Sequence, residues 1–446
     1  MNKLDAMKDK NPLLVFAKYA IPSMFGMMLM AINVVMDGVF VGHALGATAL
    51  AAVNIVIPVY SFYVAMSLWI GVGATTRYSQ AMGEGDRKKA QTIFTQAVFL
   101  IVSISIVVSS TLGLLGDNLL SWLGANAEIT PMASEYLHIF LLFGFVLTLE
   151  NMLSLFVRND GSPMLAMIAL IVTAVVNIGL NYYFLIVLKW GIMSAALGLI
   201  ISAAVGILVL LTHFVHKSNN LKFNFKFKGN WYLKSFFYIG FPSFLAEMGI
   251  SVFTIAYNIA IVSAAGTMGA AAFSIVNYTH SIALLLFLGL SSATQPLISY
   301  YQGAKMYKEQ KAIVKYGITS SVIIGLVIIV IGQVFTTQII SLFGSFTPEL
   351  IALGTESIRI FFFAYLFMGT NFVLITFMQT SGHVNFAIFI TAIREFVLVI
   401  IFLLVLTPLL GTVGVWLAVP IAEFIICILL SVYFIFIKRK DKLTAL

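Results

Sequence analysis

One carboxyl group stands alone in a stretch of apolar residues. Asp37 lies in the sequence INVVMDGVFVG, and no basic residue lies within one helical turn of it. A charged acid in hydrocarbon is strongly unfavourable unless it is paired, hydrated or protonated. Such a carboxyl could carry a proton or bind Na⁺, and its simpler role would be to hold neighbouring helices together.

Two amide side chains could join this acid. Asn177 and Asn181 lie in the apolar sequence VVNIGLNYYFL with a spacing of i, i+4, so they share one face of a helix. They could complete a Na⁺ site or hydrogen bond with the Asp37 carboxyl, or they could simply link helices. We treat Asp37, Asn177 and Asn181 as a candidate ion-coupling group.

A proline precedes each of two acids in the apolar segments. Pro22 lies 15 residues before Asp37, about four helical turns away. Because proline removes a backbone hydrogen bond, Pro22 could act as a hinge or only as a fixed kink. Glu247 lies five residues after Pro242 and is a candidate for ion coupling or substrate binding.

The other charged residues in apolar segments are read as structural or cavity-lining. Arg394 and Glu395 are adjacent and would point about 100° apart on an α-helix, so we expect them to pair with other helices rather than with each other. Glu150 and Glu423 complete this set.

Long apolar segments must carry these groups. The chain of 446 residues is 61% apolar and 9% charged, whereas soluble domains carry roughly 25% charged residues. Twelve segments are long and apolar enough to cross a bilayer. The sequence therefore predicts an all-α polytopic membrane protein with twelve transmembrane helices.

The second half of the chain repeats the first. Ile21-Pro22-Ser23 corresponds to Phe241-Pro242-Ser243, and the segment from Gly46 to Val56 corresponds to that from Gly266 to Val276. Six spans per half give both halves the same orientation, so we expect two six-helix lobes related by a parallel pseudo-twofold axis. The predicted lobes are 1–215 and 235–446, joined by the connector 216–234. Duplicated lobes with a site between them are typical of transporters.

The lobes would differ chemically. Tyr257 occupies the position in the second half that Asp37 occupies in the first. Tyr257 and the methionines Met27 and Met30 could line a substrate cavity, since methionine adapts its shape to varied ligands.

The placement of charge predicts orientation and excludes several functions. Lysine and arginine concentrate in the loops on one side, which predicts cytoplasmic termini and a multi-pass protein of a bacterial-type plasma (inner) membrane. This distribution also argues that the net charge of +8 does not serve nucleic acid. The sequence contains no ATP-binding loop, no metal-site spacing and no hydrolase motif. We therefore expect no enzyme and no cofactor. The driving force would be a gradient of H⁺ or Na⁺, or else the protein would only equilibrate its substrate.

The chain resembles the multidrug and toxin extrusion (MATE) family over essentially its whole length. The resemblance lies in four segments: DGVFVGHALGATALAAV from Asp37, GEGDRKKA from Gly83, VRNDGSPMLAM from Val157 and TQPLISYYQGAK from Thr294. The third segment is similar to the bacterial branch with DinF-like and MepA-like pumps. The resemblance implies export of cationic, aromatic drugs and dyes in exchange for H⁺ or Na⁺.

The resemblance also implies roles for single residues. Asp37 matches the coupling acid of DinF-like members, Pro22 the proline at which their first span bends, and Asn177 an asparagine of their fifth span. Asn181 stands where that pattern usually has an acid, and Leu199 stands where relatives can offer a threonine. With one carboxylate instead of two, the site favours H⁺ over Na⁺.

Two other transporter types compete with this interpretation. A major-facilitator transporter also has twelve spans, but the second copy of its loop motif is missing here. A flippase for lipid-linked precursors would need cationic groups in its cavity, and only Arg158 and Arg394 are available. In the favoured interpretation the partners are small lipophilic cations and the bilayer, with no nucleic acid, and the chain acts as a monomer.

Overall fold

The computed structural model describes residues 10–215, 219–225, 231–344 and 346–440. These residues form helices and no strands. Eleven helices in this part of the chain are long and apolar enough to cross a membrane, and one of them, Leu233–Gly303, has 71 residues and a break at Gly266. Counting its two parts separately gives the twelve predicted spans: α1 (Pro12–Gly46), α2 (Thr48–Gly83), α3 (Arg87–Leu115), α4 (Thr130–Asn159), α5 (Pro163–Val187), α6 (Ile192–Val215), α7 (233–265), α8 (267–303), α9 (Tyr307–Val334), α10 (Pro348–Thr380), α11 (Val384–Leu410) and α12 (Thr412–Lys440).

In each half, a glycine ends the first helix. Gly46 has φ 83° and separates α1 from α2, and Gly266 has φ 56° and separates α7 from α8. A positive φ is readily adopted by glycine because it has no Cβ. These two glycines begin the longest matching segment of the repeat, so the duplication visible in the sequence extends to the backbone conformation.

The chain forms two compact units. The first contains the described residues between 21 and 244, and the second contains residues 11–20 with the described residues from 245 onward. The start of α1 and the start of α7 therefore each belong to a different unit from the rest of their helix. Pro22 and Pro242 lie within three residues of these two changeover points.

Each unit repeats one packing scheme. In the first unit α4 packs against α3, α5 and α6, and α5 packs against α6. In the second unit α10 packs against α9, α11 and α12, and α11 packs against α12. Buried apolar side chains fill both interiors, and the second core is built around the aromatic residues Tyr257, Phe361, Tyr365 and Trp416.

Wide helical turns occur beside the polar groups. The last six residues of α5, Tyr182–Val187, form a π-helical turn directly after Asn181. A second π-helical turn, Ile393–Leu398 in α11, contains Arg394 and Glu395. Such turns are rare inside α-helices and are frequent at functional sites.

Candidate functional site

The first unit brings Asp37 and the two predicted amides together. Asn181 Nδ2 donates to Asp37 Oδ1 at 2.6 Å. With its amide oriented to match its neighbours, Asn177 Nδ2 also donates to Asp37 Oδ1 at 2.6 Å and to Asn33 Oδ1 at 3.1 Å. Three of the residues picked out from the sequence, on α1 and α5, thus form one hydrogen-bonded group.

The two carboxylate oxygens of Asp37 are not equivalent. Both amides donate to Oδ1, and among the described residues Oδ2 accepts no hydrogen bond. Asp37 is also only partly buried. Oδ1 is therefore held in place while Oδ2 is available to take up a proton.

The neighbouring helices close around the amides. Leu199 N on α6 donates to Asn177 Oδ1 at 3.2 Å. Gly198 leaves room for Asn181, because a Cβ at this glycine would lie 2.9 Å from Asn181 Oδ1. Tyr136 on α4 lies close enough to Asp37 to interact with it electrostatically. The group is thus supported by α1, α4, α5 and α6.

Glu150 lies in a separate contact within the first unit. Thr173 Oγ1 donates to Glu150 Oε1 at 2.5 Å, and the carboxyl is buried between α4, α5 and α6. A Cβ at Gly206 would overlap both of these oxygen atoms. Glu150 is therefore packed against its neighbours rather than facing an open cavity.

The remaining predicted residues of the first half lie along α1. Pro22 is buried, and the helix continues through it without leaving helical backbone angles. Met27 and Met30 are half-buried on the turns between Pro22 and Asp37. Neither methionine belongs to the hydrogen-bonded group.

Tyr257 does not line a cavity, contrary to the expectation from its repeat position. Its side chain is fully buried, and its hydroxyl donates to the Val415 carbonyl at 2.9 Å. Its ring stacks on Phe273 with centroids 5.2 Å apart. The larger aromatic ring fills the core of the second unit at the place where the first unit has a carboxyl group.

Arg394 is the centre of a polar cluster in the second unit. Its Nη2 lies 2.6 Å from Glu423 Oε1, its Nε donates to the same oxygen at 2.9 Å, and its Nη1 donates to Glu395 Oε1. The guanidinium also lies 4.4 Å above the ring of Phe372. On the far side of Glu423, Asn371 Nδ2 donates to Oε2 at 2.7 Å.

Arg394 and Glu395 were expected to pair with other helices rather than with each other, and the second part of this expectation is wrong. They are bonded directly, in addition to the predicted partner on another helix. The expectation assumed regular α-helical geometry, whereas both residues lie in the π-helical turn of α11. The wider turn changes the angle between successive side chains and lets the neighbours meet.

Glu247 approaches this cluster from α7. It interacts electrostatically with Glu395, and the described residues give it no hydrogen bond. Gly249, two residues later, lies against Glu395, since a Cβ there would be 2.5 Å from the Cβ of Glu395. Glu247 is therefore not part of the Asp37 group but belongs to a second polar site.

Sequence reasoning missed the role of Asp160. This fully buried carboxylate accepts hydrogen bonds from Tyr78 Oη at 2.9 Å, from His213 Nε2 at 2.8 Å and from Asn220 and Leu221 beyond α6. It thereby ties Asn220 and Leu221 to the ends of α2 and α6. The motif VRNDGSP contains Asp160, but its partners lie 53 to 82 residues away in sequence.

Metal binding finds no support in the side chains. Among the described residues, no group of three or more His, Cys, Asp or Glu side chains is placed to hold a metal ion. The Asp37 group offers one carboxylate with two amide NH₂ groups turned toward it.

Comparison with known proteins gives a consistent result. The model of the MatE family matches residues 22–183 and 242–405, one match in each half. The chain is 26% identical to the multidrug export protein MepA of Staphylococcus saprophyticus, covering 96% of this chain and 94% of that protein. It is 27% identical to MepA of Staphylococcus haemolyticus, covering 95% and 93%.

Solved structures share the fold. An outward-facing multidrug resistance MATE family transporter of the MOP superfamily superposes with a TM-score of 0.90 at 22% identity, over 95% of both chains. A MATE crystal structure in the bent conformation superposes with a TM-score of 0.91 at 22% identity over the whole of both chains. The predicted all-α polytopic membrane fold is confirmed, and a family match in both halves decides against the major-facilitator alternative.

Proposed function

This chain belongs to the MatE family, and on that premise we propose that it exports small lipophilic cations across the membrane in exchange for protons. The family membership makes it a transporter and not an enzyme. Its relatives are named as multidrug export proteins. The coupling ion and the coupling residue are our proposal.

The arrangement around Asp37 is the observation that supports proton coupling. Asn177 and Asn181 both donate to Oδ1, which stabilises the ionised carboxylate. Oδ2 has no hydrogen-bond partner among the residues described, so a proton can reach it without displacing either amide. A carboxyl with one oxygen fixed and one accessible can load and release a proton while keeping its position.

The same arrangement disfavours Na⁺. A sodium ion needs several oxygen ligands, and hard cations are held by carboxylate, carbonyl and water oxygens. Here the amides present NH₂ groups to the carboxylate, and Leu199 offers no side-chain oxygen. A Na⁺ site at Asp37, Asn177 and Asn181 would require both amides to turn around.

The transport cycle then follows from the charge of Asp37. With Asp37 ionised, its negative charge attracts a lipophilic cation, while the half-buried Met27 and Met30 offer an adaptable apolar surface. With Asp37 protonated, that attraction is lost and the cation is released. Pro22, at the changeover point of α1, is the proposed hinge. We further propose cytoplasmic termini and a monomer.

The flippase alternative is weakened by the state of the two arginines that could receive an anionic lipid head. Arg394 is already bonded to Glu395 and Glu423. Arg158 is only 3% exposed. Neither guanidinium is presented as a free anion-binding group.

Efflux from everted membrane vesicles tests the proposed function. Ethidium is supplied outside, and either a proton gradient or a Na⁺ gradient is applied alone. We expect ethidium uptake into the vesicles with the proton gradient and none with Na⁺. Uptake driven by Na⁺ alone would contradict proton coupling. If neither gradient raises ethidium uptake above that of vesicles lacking the protein, the export function is contradicted.

A further inference from the structure

Residues 219–225 of the connector, named here the docked segment, are fixed along α3. Gln91 Nε2 donates to the Asn220 carbonyl at 3.3 Å. Asn224 donates to two threonine hydroxyls of α3, from its backbone N–H at 2.8 Å and from its side chain at 3.0 Å. The docked segment therefore runs alongside the first turns of α3, and its backbone is held at both ends.

The side chains that hold the connector are particular to the first half of the chain. Four polar residues of α3 bond to the connector: Gln91, Thr92, Thr95 and Gln96. The equivalent residues of α9 in the repeat are Lys311, Ala312, Lys315 and Tyr316. The duplicated helices thus differ at the positions where the connector docks, which indicates that α3 is adapted to hold this segment.

The docked segment brings three exposed aromatic rings together. Phe223 contacts the buried Phe94 with ring centroids 5.1 Å apart and stacks on Phe225 with centroids 5.8 Å apart. Phe225 also meets Phe99 of α3 at 6.1 Å. The exposed fractions are 48% for Phe223, 66% for Phe225 and 55% for Phe99. A row of rings therefore leads from the interior of the first unit to its surface.

The position of these rings on α3 shows that lipid covers them. No residue of α3 from Ala90 to Val98 is exposed, and the exposed face begins at Phe99 and continues through Ile106 and Val107. On a helix that spans the bilayer, such an apolar face lies against acyl chains. Phe225, beside Phe99, lies where this face begins. Aromatic residues are enriched at that level, the membrane–water interface.

Two lysines lie at the polar end of the same surface. Lys88 lies at the start of α3, and Lys222 lies within the docked segment. Both are exposed, and neither pairs with a carboxylate in the described part of the chain. The nearby acids are engaged by Lys89, since Glu84 pairs with its side chain at 2.7 Å and Asp86 accepts from its backbone N–H at 2.9 Å. The surface thus combines positive charge with apolar rings.

We propose that the docked segment and the start of α3 bind an anionic phospholipid of the bilayer. Lys88 and Lys222 contact its charged headgroup, and its acyl chains lie against Phe223, Phe225 and Phe99. At 1.5 Å per residue, Lys88 and Phe99 are about 16 Å apart along α3, which fits within one leaflet of roughly 20 Å. The site is independent of the exported compound and of the coupling ion.

Fluorescence quenching at position 225 tests the site in the full-length protein. Cys427→Ser removes the single cysteine of the chain, and Phe225→Cys is then labelled with bimane. The protein is reconstituted in phosphatidylcholine bilayers with a small fraction of phosphatidylglycerol or phosphatidylcholine that carries a nitroxide on one acyl chain. A lysine near an anionic lipid contributes about 1 kcal/mol, which is about fivefold in binding. With two lysines, we expect the labelled protein to bind phosphatidylglycerol about 25-fold more tightly than phosphatidylcholine.

Lysine variants of the labelled protein separate this site from the general basic surface. Lys88→Gln and Lys222→Gln should each lower the preference for phosphatidylglycerol about fivefold. Lys308→Gln is the matched control, because Lys308 is the exposed repeat equivalent of Lys88 on α9, and it should change the preference by less than about twofold.

Three results overturn the proposal. The first is equal binding of both lipids by the labelled protein with all its lysines. The second is an equal loss of preference in Lys88→Gln and Lys308→Gln. The third is loss of the quenching by phosphatidylglycerol when inorganic phosphate is added, because free phosphate would then be the ligand in place of a lipid.

Thermal unfolding of the unlabelled protein gives a second measurement without cysteine substitutions. Asn220 of the docked segment is held by the buried Asp160, so a lipid bound here should stabilise the first unit. The midpoint should be higher in nanodiscs that contain phosphatidylglycerol than in phosphatidylcholine alone. The double variant Lys88→Gln with Lys222→Gln should lose at least about half of this rise. A rise of full size in the double variant overturns the site.

Discussion

Replacing Asp160 by asparagine should loosen the first unit at the point where Asn220 and Leu221 are attached. Five hydrogen bonds end on this carboxylate. Two reach Oδ1, from Tyr78 and from the Asn220 side chain, and three reach Oδ2, from His213 and from the backbone of Asn220 and Leu221. In asparagine one of these oxygens becomes an NH₂ group, so either the Asn220 side-chain NH₂ or the backbone N–H groups of Asn220 and Leu221 then face another donor.

The magnitude follows from burial. Asp160 and His213 are 0% and 1% exposed, so no water replaces the lost contacts. A hydrogen bond to a charged group contributes about 1.5–3 kcal/mol, and all five donors lose the carboxylate as their acceptor. Because these contributions overlap, we expect a total loss of about 3–5 kcal/mol. For a unit of this size the midpoint of thermal unfolding should fall by about 6–20 °C.

Thermal unfolding of the detergent-purified protein and limited trypsin digestion are the assays. Trypsin should cut faster after Lys222, since cleavage requires residues around 222 to detach from the helix ends. Glu84→Gln is the matched control, because it removes an acid whose ion pair with Lys89, at 2.7 Å, is exposed. Such a pair contributes about 1 kcal/mol or less. If Asp160→Asn melts and resists trypsin like the control, the attachment through Asp160 is wrong.

Two further substitutions test the first unit. Gly206→Ala places a methyl group onto Glu150 and Thr173, so it should destabilise the protein by about 1–3 kcal/mol. The measurement is the midpoint of thermal unfolding, which should fall. An unchanged midpoint would mean that α6 shifts to make room for the methyl group. Asn181→Asp adds a second carboxylate beside Asp37 and should make vesicle efflux respond to Na⁺ at fixed pH, whereas Asn181→Gln should not. Efflux by Asn181→Asp that ignores Na⁺ would show that the number of carboxylates does not select the ion.

Much of the fold could be predicted because the bilayer imposes it. A segment of about 20 apolar residues with Lys and Arg at its ends has few alternatives to a membrane helix. The matched glycines Gly46 and Gly266 were visible in the repeat, and both have the positive φ that ends a helix. The pattern did not predict that the first residues of α1 and of α7 belong to a different unit from the rest of the helix. An apolar segment does not indicate which other segment it packs against.

The Asp37 group could be found because few polar residues occur in its segments. The i, i+4 spacing of Asn177 and Asn181 and the isolation of Asp37 are local features. The bond between Arg394 and Glu395 was not predicted, because it depends on a π-helical turn that has no sequence signature here. The position of Tyr257 was also not predicted, because a tyrosine can pack in a core as well as line a cavity.

Proton-driven ethidium transport by the reconstituted Asp37→Asn variant tests the central proposal most directly. Purified parent, Asp37→Asn and Asp37→Glu are placed in liposomes at equal protein density, and the initial rate of gradient-driven ethidium transport is compared. We expect Asp37→Asn to lose at least about nine-tenths of the rate, because an amide does not take up a proton near neutral pH as a carboxylate can. Asp37→Glu should retain part of the rate, because it keeps a carboxyl group. A rate for Asp37→Asn equal to that of the parent would show that this carboxyl does not couple transport to the proton gradient.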